Sequence, residues 1–237
     1  MKQIPLEERL IFALDVPSQE EARRWVERLE GRVKFYKVGL QLFLDGGFHV
    51  VNWILQRNLK VFLDLKLFDV PETVRNAVKQ LRDRGVAFTT VHGNDSILKA
   101  AAEEKGELKI LAVTVLTSLD LGDLLDLGFQ CSVEDLVLSR ARRALQVGCD
   151  GVVSSGLEAP RLRSELGDRV LIVSPGIRPV KNADDQKRTV DAREAFENGA
   201  DYIVVGRPIL KAEKPEETVD ALFLQIEAGL GGGKVLY

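Results

Sequence analysis

Asp64, Lys66 and Asp69 close an apolar run, Lys60-Val61-Phe62-Leu63, with three charges in quick succession. Side chains two apart on a strand point the same way, which places Asp64 and Lys66 on one face. Two carboxylates and an ammonium are costly if dry and unpaired, so the spacing predicts an internally paired cluster. Apolar residues would serve stability alone more cheaply than Asp64 with Lys66, which points to a chemical use. The chemistry open to such a cluster is that of opposite charges held in fixed places. A second set of residues suggests phosphate binding: Gly176 with Arg178, and Gly206 with Arg207. Glycine lets the backbone approach a ligand closely, and a guanidinium offers a forked donor to phosphoryl oxygens.

These residues need strand ends to converge. Eight short apolar, β-branched-rich runs recur at residues 10–14, 33–38, 61–65, 88–92, 110–116, 151–154, 170–173 and 202–205. Helix signatures fill the gaps. Ser18-x-x-Glu21 is a capping box followed by Ala22, Trp25, Val26 and Leu29 on one face. Pro71 opens a helix with the stripe Val74, Ala77, Val78 and Leu81, and Ser132-x-x-Asp135 starts another. Residues 192–198 form a short helix closed by Gly199, and 214–228 the last one. Eight alternations without a break in composition predict an α/β fold, a single (β/α)8 TIM barrel spanning 1–237 with outer helices. A doubly wound open sheet is the alternative, but it rarely needs eight evenly spaced units. The glycine-rich end, 229–237, is expected to be a mobile tail.

In a parallel barrel the C-terminal strand ends carry function. Read in order, they hold Asp15, Lys37, Asp64 with Lys66, His92, Thr117-Ser118, Ser174 to Arg178, and Gly206-Arg207. Asp15, Lys37, Asp64 and Lys66 would alternate in sign, which offsets desolvation and fixes each side chain. Taken alone, Asp15 before Val16-Pro17 reads as a turn residue, and Asp69 before Val70-Pro71 fits a helix cap equally well. His92 reads as a hydrogen-bonded core histidine outside the site, and His49 as a surface residue. Segment 178–188 is polar and long. It fits a surface loop, but its flanking glycine and arginines favour a lid over a phosphate.

The 237 residues are 45% hydrophobic and 29% charged, ordinary for a globular protein with a large core. A net charge of −3 argues against a nucleic-acid partner held by a basic face. No apolar run approaches the length of a membrane span, and residues 1–5 lack a signal-peptide core. Cys131 and Cys149 have no metal-site spacing and read as reduced thiols. A cytoplasmic protein is expected.

Asp64-Leu-Lys66-Leu-Phe-Asp69-Val-Pro71-Glu-Thr73 resembles the D-x-K-x-x-D signature of orotidine 5′-phosphate decarboxylases. Further matches are Ala13-Leu14-Asp15, Lys37-Val38-Gly39, Leu116-Thr117-Ser118, Ser174-Pro175-Gly176-Ile177-Arg178-Pro179, Asp185-Gln186-Lys187-Arg188 and Val204-Val205-Gly206-Arg207-Pro208-Ile209. They follow the family's order across nearly the whole chain. The first motif is shared by related sugar-phosphate barrels; joined to the Pro-Gly-Ile-Arg loop, Gln186 and Gly206-Arg207 it becomes specific. Phe68 replaces a common His, Glu72 a common Asn and Ser174 a common Thr, and Gly93-Asn94-Asp95 departs from a typical Gly-Gly stretch. None of these removes a charge the chemistry needs.

The resemblance implies conversion of orotidine 5′-phosphate to uridine 5′-phosphate and carbon dioxide, with no metal or organic cofactor. It implies Lys66 as the cation beside the developing carbanion and its proton donor. Asp64 would lie beside the substrate carboxylate, and Lys37 and Asp69 would hold Lys66 as an oriented cation. Asp15 and Lys37 would bind ribose hydroxyls and Thr117 the pyrimidine, while Arg178, Gln186, Gly206 and Arg207 would hold the phosphate. Asp69 and Thr73 would reach a neighbouring subunit's site, making a homodimer. The nearest rivals are magnesium-dependent relatives, 3-keto-gulonate-phosphate decarboxylase and hexulose-phosphate synthase. Gln186 and the Pro175 to Arg178 loop favour the nucleotide. A non-catalytic phosphate-binding barrel would have lost at least one of Lys37, Asp64, Lys66 and Asp69.

Overall fold

Each of the eight apolar runs is too short and too β-branched to bury itself as a helix, and each becomes a strand. In the computed structural model, which describes residues 2–178 and 189–231, all eight pair in parallel and close in sequence order into a barrel. The strands are β1 (Leu10–Ala13), β2 (Phe35–Gly39), β3 (Lys60–Leu67), β4 (Phe88–Val91), β5 (Lys109–Val113), β6 (Gly151–Val153), β7 (Leu171–Ser174) and β8 (Tyr202–Val205). Around them lie α1 (Gln19–Arg28), α2 (Leu40–Leu55), α3 (Pro71–Arg82), α4 (Asp95–Glu103), α5 (Leu121–Asp126), α6 (Val133–Gln146), α7 (Ala159–Leu166), α8 (Ala192–Glu197), α9 (Arg207–Leu210) and α10 (Pro215–Gly231). The fold is the (β/α)8 barrel that the alternation predicts. No helix among the described residues is long and apolar enough to cross a membrane.

Helix starts follow the cap residues. Ser18 and Ser132 accept the N–H groups of Glu21 and Asp135, at 3.2 and 3.1 Å. The short α5 begins at a reciprocal capping box, Asp120 with Asp123, in the stretch between β5 and the Ser132 cap.

The core has two layers. Side chains such as Leu10, Phe12, Val38 and Leu63 face outward and pack under the helices. Ile11, Phe35, Phe62, Phe88, Leu111, Leu171 and Tyr202 face inward and fill the barrel. Ring centroids of Phe35 and Phe88 lie 5.0 Å apart, and those of Phe88 and Tyr202 5.1 Å. This aromatic plug forms an apolar floor. One pleat further along each strand, two residues on, come Lys37, Asp64 and Thr90. The charged layer is therefore built directly on an apolar one, at the C-terminal mouth.

The chain end corrects one expectation. Helix α10 continues through Gly229 to Gly231, so the first three residues of the expected tail are helical; 232–237 lie outside the described residues. Gly229 is there for close packing: a Cβ would stand 2.6 Å from the Arg193 carbonyl oxygen and 2.8 Å from Phe196 Cβ. Both cysteines are free, and burial pushes the Cys149 thiol up to about 12.

Candidate active site

β1, β2 and β3 present their C-terminal ends side by side, in the register Ala13↔Lys37 and Gly39↔Asp64. Asp15, two residues past Ala13, accepts from the Lys37 ammonium at 2.8 Å. Lys37 is also 3.8 Å from the Asp64 carboxylate, and Lys66 Nζ lies 2.9 and 3.0 Å from its two oxygens. The alternating chain Asp15, Lys37, Asp64, Lys66 therefore exists as expected from the strand ends. Gly39 makes room for it, since a Cβ there would stand 3.1 Å from Lys37 Nζ.

The path by which Asp64 and Lys66 meet differs from simple alternation. Pairing of β3 with β4 runs Leu63↔Thr89 and then Leu67↔Val91, so Asp64, Leu65 and Lys66 face the single residue Thr90. That is a bulge. Lys66 takes a φ of 50°, in the left-handed region that a non-glycine residue enters at a cost of about 1–3 kcal/mol. Thr90 was not among the residues singled out from sequence. Its hydroxyl donates to Asp64 Oδ1 at 2.8 Å and accepts the Lys66 backbone N–H at 2.9 Å. A faint signal was available: Thr90 is two residues past the inward-facing Phe88, hence in the layer of Asp64.

Burial alone pushes the Asp64 carboxyl up. The Lys37 and Lys66 ammonium groups and the hydrogen bonds from Lys66 and Thr90 outweigh it, and the net direction is down. Asp64 is thus an acceptor-only carboxylate, ringed by donors.

The chain lines a cavity of about 490 Å³ together with Thr117, Gly176, Arg178, Gly206 and Arg207. Gly176 has a φ of 79°, a turn only glycine takes without strain. Gly206 packs on β1, where a Cβ would be 3.2 Å from Ala13 Cβ. Arg178 is buried; its backbone N–H donates to the Val190 carbonyl at 2.9 Å, tying the two ends of segment 178–190 together. Gln186, and the lid reading of 179–188, lie outside the described residues.

Asp69 and Thr73 stand apart. Both are exposed and neither lines the cavity. Asp69 Oδ1 accepts the Val70 N–H at 2.7 Å, and the α3 N-cap is Val70, so Asp69 does not cap that helix. The neighbouring Phe68 and Val70 are 66% and 61% exposed. His92 faces a second cavity of about 390 Å³, shared with Phe68 and Arg140. Its ring lies 5.2 Å from Phe68, and its buried Nδ1 has no hydrogen-bond partner among the described residues, contrary to the hydrogen-bonded core reading. Burial, then the Arg140 charge, pushes its pKa down. No group of three or more His, Cys, Asp or Glu side chains among the described residues is arranged to hold a metal ion.

A closed parallel barrel with an ordered carboxylate–ammonium chain and two arginines at its C-terminal mouth defines a barrel enzyme with a site for a small anionic molecule. Residues 8–222 match the model of the Orotidine 5′-phosphate decarboxylase / HUMPS family, and the chain belongs to that family. It is 62% identical over 235 residues to the orotidine 5′-phosphate decarboxylase of Methylococcus capsulatus, covering 98% of this chain and 97% of that one. It is 50% identical over 226 residues to that of Nitrobacter winogradskyi, covering 94% of each. The crystal structure of orotidine 5′-phosphate decarboxylase from Lactobacillus acidophilus superposes with a TM-score of 0.83 at 35% identity, covering 93% of this chain and 100% of that one.

Proposed function

We propose that this chain decarboxylates orotidine 5′-phosphate to uridine 5′-phosphate and CO₂, a step of pyrimidine nucleotide synthesis, using no metal or organic cofactor. The observation that carries the reading is the chain Asp15–Lys37–Asp64–Lys66, held by contacts of 2.8 to 3.8 Å above an apolar floor. Loss of CO₂ leaves an electron pair on pyrimidine C6 in an orbital the ring delocalises poorly. The protein must meet it with charge already in place. The Lys66 ammonium faces that carbon; as the C6–carboxylate bond breaks, a proton passes from Nζ to C6, and solvent restores it. Asp64 lies beside the departing carboxylate and fixes Lys66.

Asp15 and Lys37 take the ribose hydroxyls, and Thr117 the pyrimidine edge. Arg178, Arg207 and the Gly206 backbone take the phosphate, with Gln186. Phosphate contacts far from the broken bond supply binding energy that helps assemble the site. Asp69 and Thr73 serve a second copy of the chain in a homodimer, which the exposed Asp69 and its apolar neighbours Phe68 and Val70 support. The reading places the protein in the cytoplasm with its nucleotide substrate.

The test is the loss of pyrimidine ultraviolet absorbance when purified protein meets orotidine 5′-phosphate, with and without EDTA. Turnover indifferent to EDTA and abolished by Lys66→Ala is the expected result. No turnover would reject the reading, and EDTA-sensitive turnover would reject its cofactor-free part.

A further inference from the structure

Thr90 is fully buried, yet it is a hydroxyl residue in the inward-facing layer beside Lys37 and Asp64. It is the one residue of β4 opposite the three-residue excursion of β3. That excursion removes a ladder partner from the Lys66 N–H, and the Thr90 hydroxyl oxygen replaces it at 2.9 Å. A backbone N–H can only donate. The hydroxyl therefore accepts there, and its single proton is committed to Asp64 Oδ1 at 2.8 Å. One oxygen atom thus joins the backbone of Lys66 to the carboxylate that its own ammonium touches at 2.9 and 3.0 Å. The ring Asp64 carboxylate, Thr90 hydroxyl, Lys66 backbone, Lys66 ammonium closes on itself.

From this closed ring we propose that Thr90 is a positioning residue for the decarboxylation: its hydroxyl holds Lys66 at its left-handed backbone angle and turns the Asp64 carboxylate toward the ammonium. The proposal rests on the decarboxylase reading of this cavity. Thr90 acts through Asp64 and Lys66; it does not line the cavity itself. Its neighbour Thr89 shows the contrast, since Thr89 Oγ1 donates to the Leu63 carbonyl at 2.9 Å and faces away from the charged layer. Valine at 90 would keep the shape and remove both bonds, leaving the Lys66 N–H unpaired and Asp64 one donor short. Serine would keep both.

The mechanism predicts a split between kinetic constants. Substrate grip rests on the ribose and phosphate contacts, which Thr90 does not touch, so KM should stay within about twofold in Thr90→Val while kcat falls about 10- to 100-fold. Thr90→Ser should retain kcat within about threefold. Among the described residues, the charged groups paired with Asp64 are Lys37, Lys66 and, through Lys37, Asp15. With these unchanged, loss of the Thr90 hydrogen bond, one of the groups that hold the carboxyl down, moves its titration upward in Thr90→Val.

The experiment measures kcat, KM and the Asp64 carboxyl titration by NMR in wild type, Thr90→Val and Thr90→Ser, with far-ultraviolet circular dichroism on each. The proposal stands if kcat and the titration move in the valine variant and return in the serine variant. It is overturned if valine leaves kcat and the titration unchanged, if serine loses as much as valine, or if KM alone changes. Should Thr90→Val fail to fold, Thr90→Ala is read against Thr90→Ser by the same criteria. A wild-type protein that turns over nothing rejects the decarboxylase reading instead, and the titration still decides whether Thr90 governs Asp64.

Discussion

The Lys66 ammonium meets both oxygens of the Asp64 carboxylate, at 2.9 and 3.0 Å, although the two residues straddle a bulge rather than a regular strand. Strand alternation would already aim both side chains inward. The bulge sets the Lys66 backbone at a φ of 50°, and from there its ammonium meets the Asp64 carboxylate. A carboxylate and an ammonium fixed in this way need no reorganisation when charge develops beside them, which is the condition for electrostatic catalysis.

Asp64 should make stability depend on pH in one direction. Burial opposes its ionisation, but the two ammonium groups and the Thr90 hydroxyl hold its folded pKa below the ordinary 3.8. A depressed carboxyl contributes stability above its unfolded pKa and loses it as pH falls through the folded value. Asp64→Asn should therefore cost about 2 kcal/mol, constant between pH 8 and 5, because it leaves Lys37 and Lys66 without their shared counter-ion. The difference from wild type should shrink as pH falls below 3.8. Urea denaturation across that range checks it; a penalty that grows toward acid would contradict the assignment.

Arg178 is held by Val190, which leaves no room for a side chain at Gly156, 22 residues before the arginine. A Cβ on Gly156 would stand 2.5 Å from Val190 Cγ2, and Val190 is the residue whose carbonyl takes the Arg178 N–H. Gly156 has no left-handed φ, so alanine there is strained by the contact alone. Gly156→Ala should raise KM for orotidine 5′-phosphate about fivefold with kcat nearly unchanged, since it displaces the arginine proposed to take the phosphate and not the reacting groups. Val190→Ala in the same chain should restore KM. Steady-state kinetics on the two single variants and the double one decide it, and an additive double variant would sever Gly156 from Arg178.

The barrel and its charges were legible because both are written in local pattern. Apolar runs of strand length marked β1 to β8, and an ion such as Asp64 or Lys37 at the end of such a run has few uses besides function. What was hidden depends on contacts between distant segments. Thr90 looks like any β-branched strand residue until the three-against-one mismatch with β3 gives its hydroxyl two partners. Gly229 fell within the expected mobile tail because a glycine-rich end signals loose chain, whereas here it marks where α10 packs against α8. Asp69 looked equally like a cap, and only its bond to the Val70 N–H removes that use.

That packing of α10 against α8 carries its own prediction. Alanine at Gly229 forces α10 away from the Arg193 carbonyl and the Phe196 side chain. Overpacking of this kind costs about 1–3 kcal/mol. Gly229→Ala should lower the thermal midpoint while leaving kcat and KM at wild-type values, as measured by calorimetry beside the absorbance assay. Unchanged stability would show that the helix pair yields freely.

Shared sites in a dimer can be separated from self-contained ones by mixing two dead variants. Asp69 is exposed on its own chain, bonded to the Val70 N–H and absent from the cavity walls that hold Lys66. If it completes the site of a second copy, Lys66→Ala and Asp69→Ala should each be inactive alone. A mixed dimer then regains one whole site, because the chain with an intact Lys66 borrows Asp69 from the chain that lacks the lysine. Random reassociation of equal amounts puts half the dimers in that form with one of two sites whole, so about a quarter of wild-type activity should return. Were Asp69 to act within its own chain, every site in the mixture would lack one residue or the other. The recovered activity after co-refolding the two variants therefore distinguishes the arrangements: near a quarter supports the shared site, and none at all, with dimers present by sedimentation, rejects it.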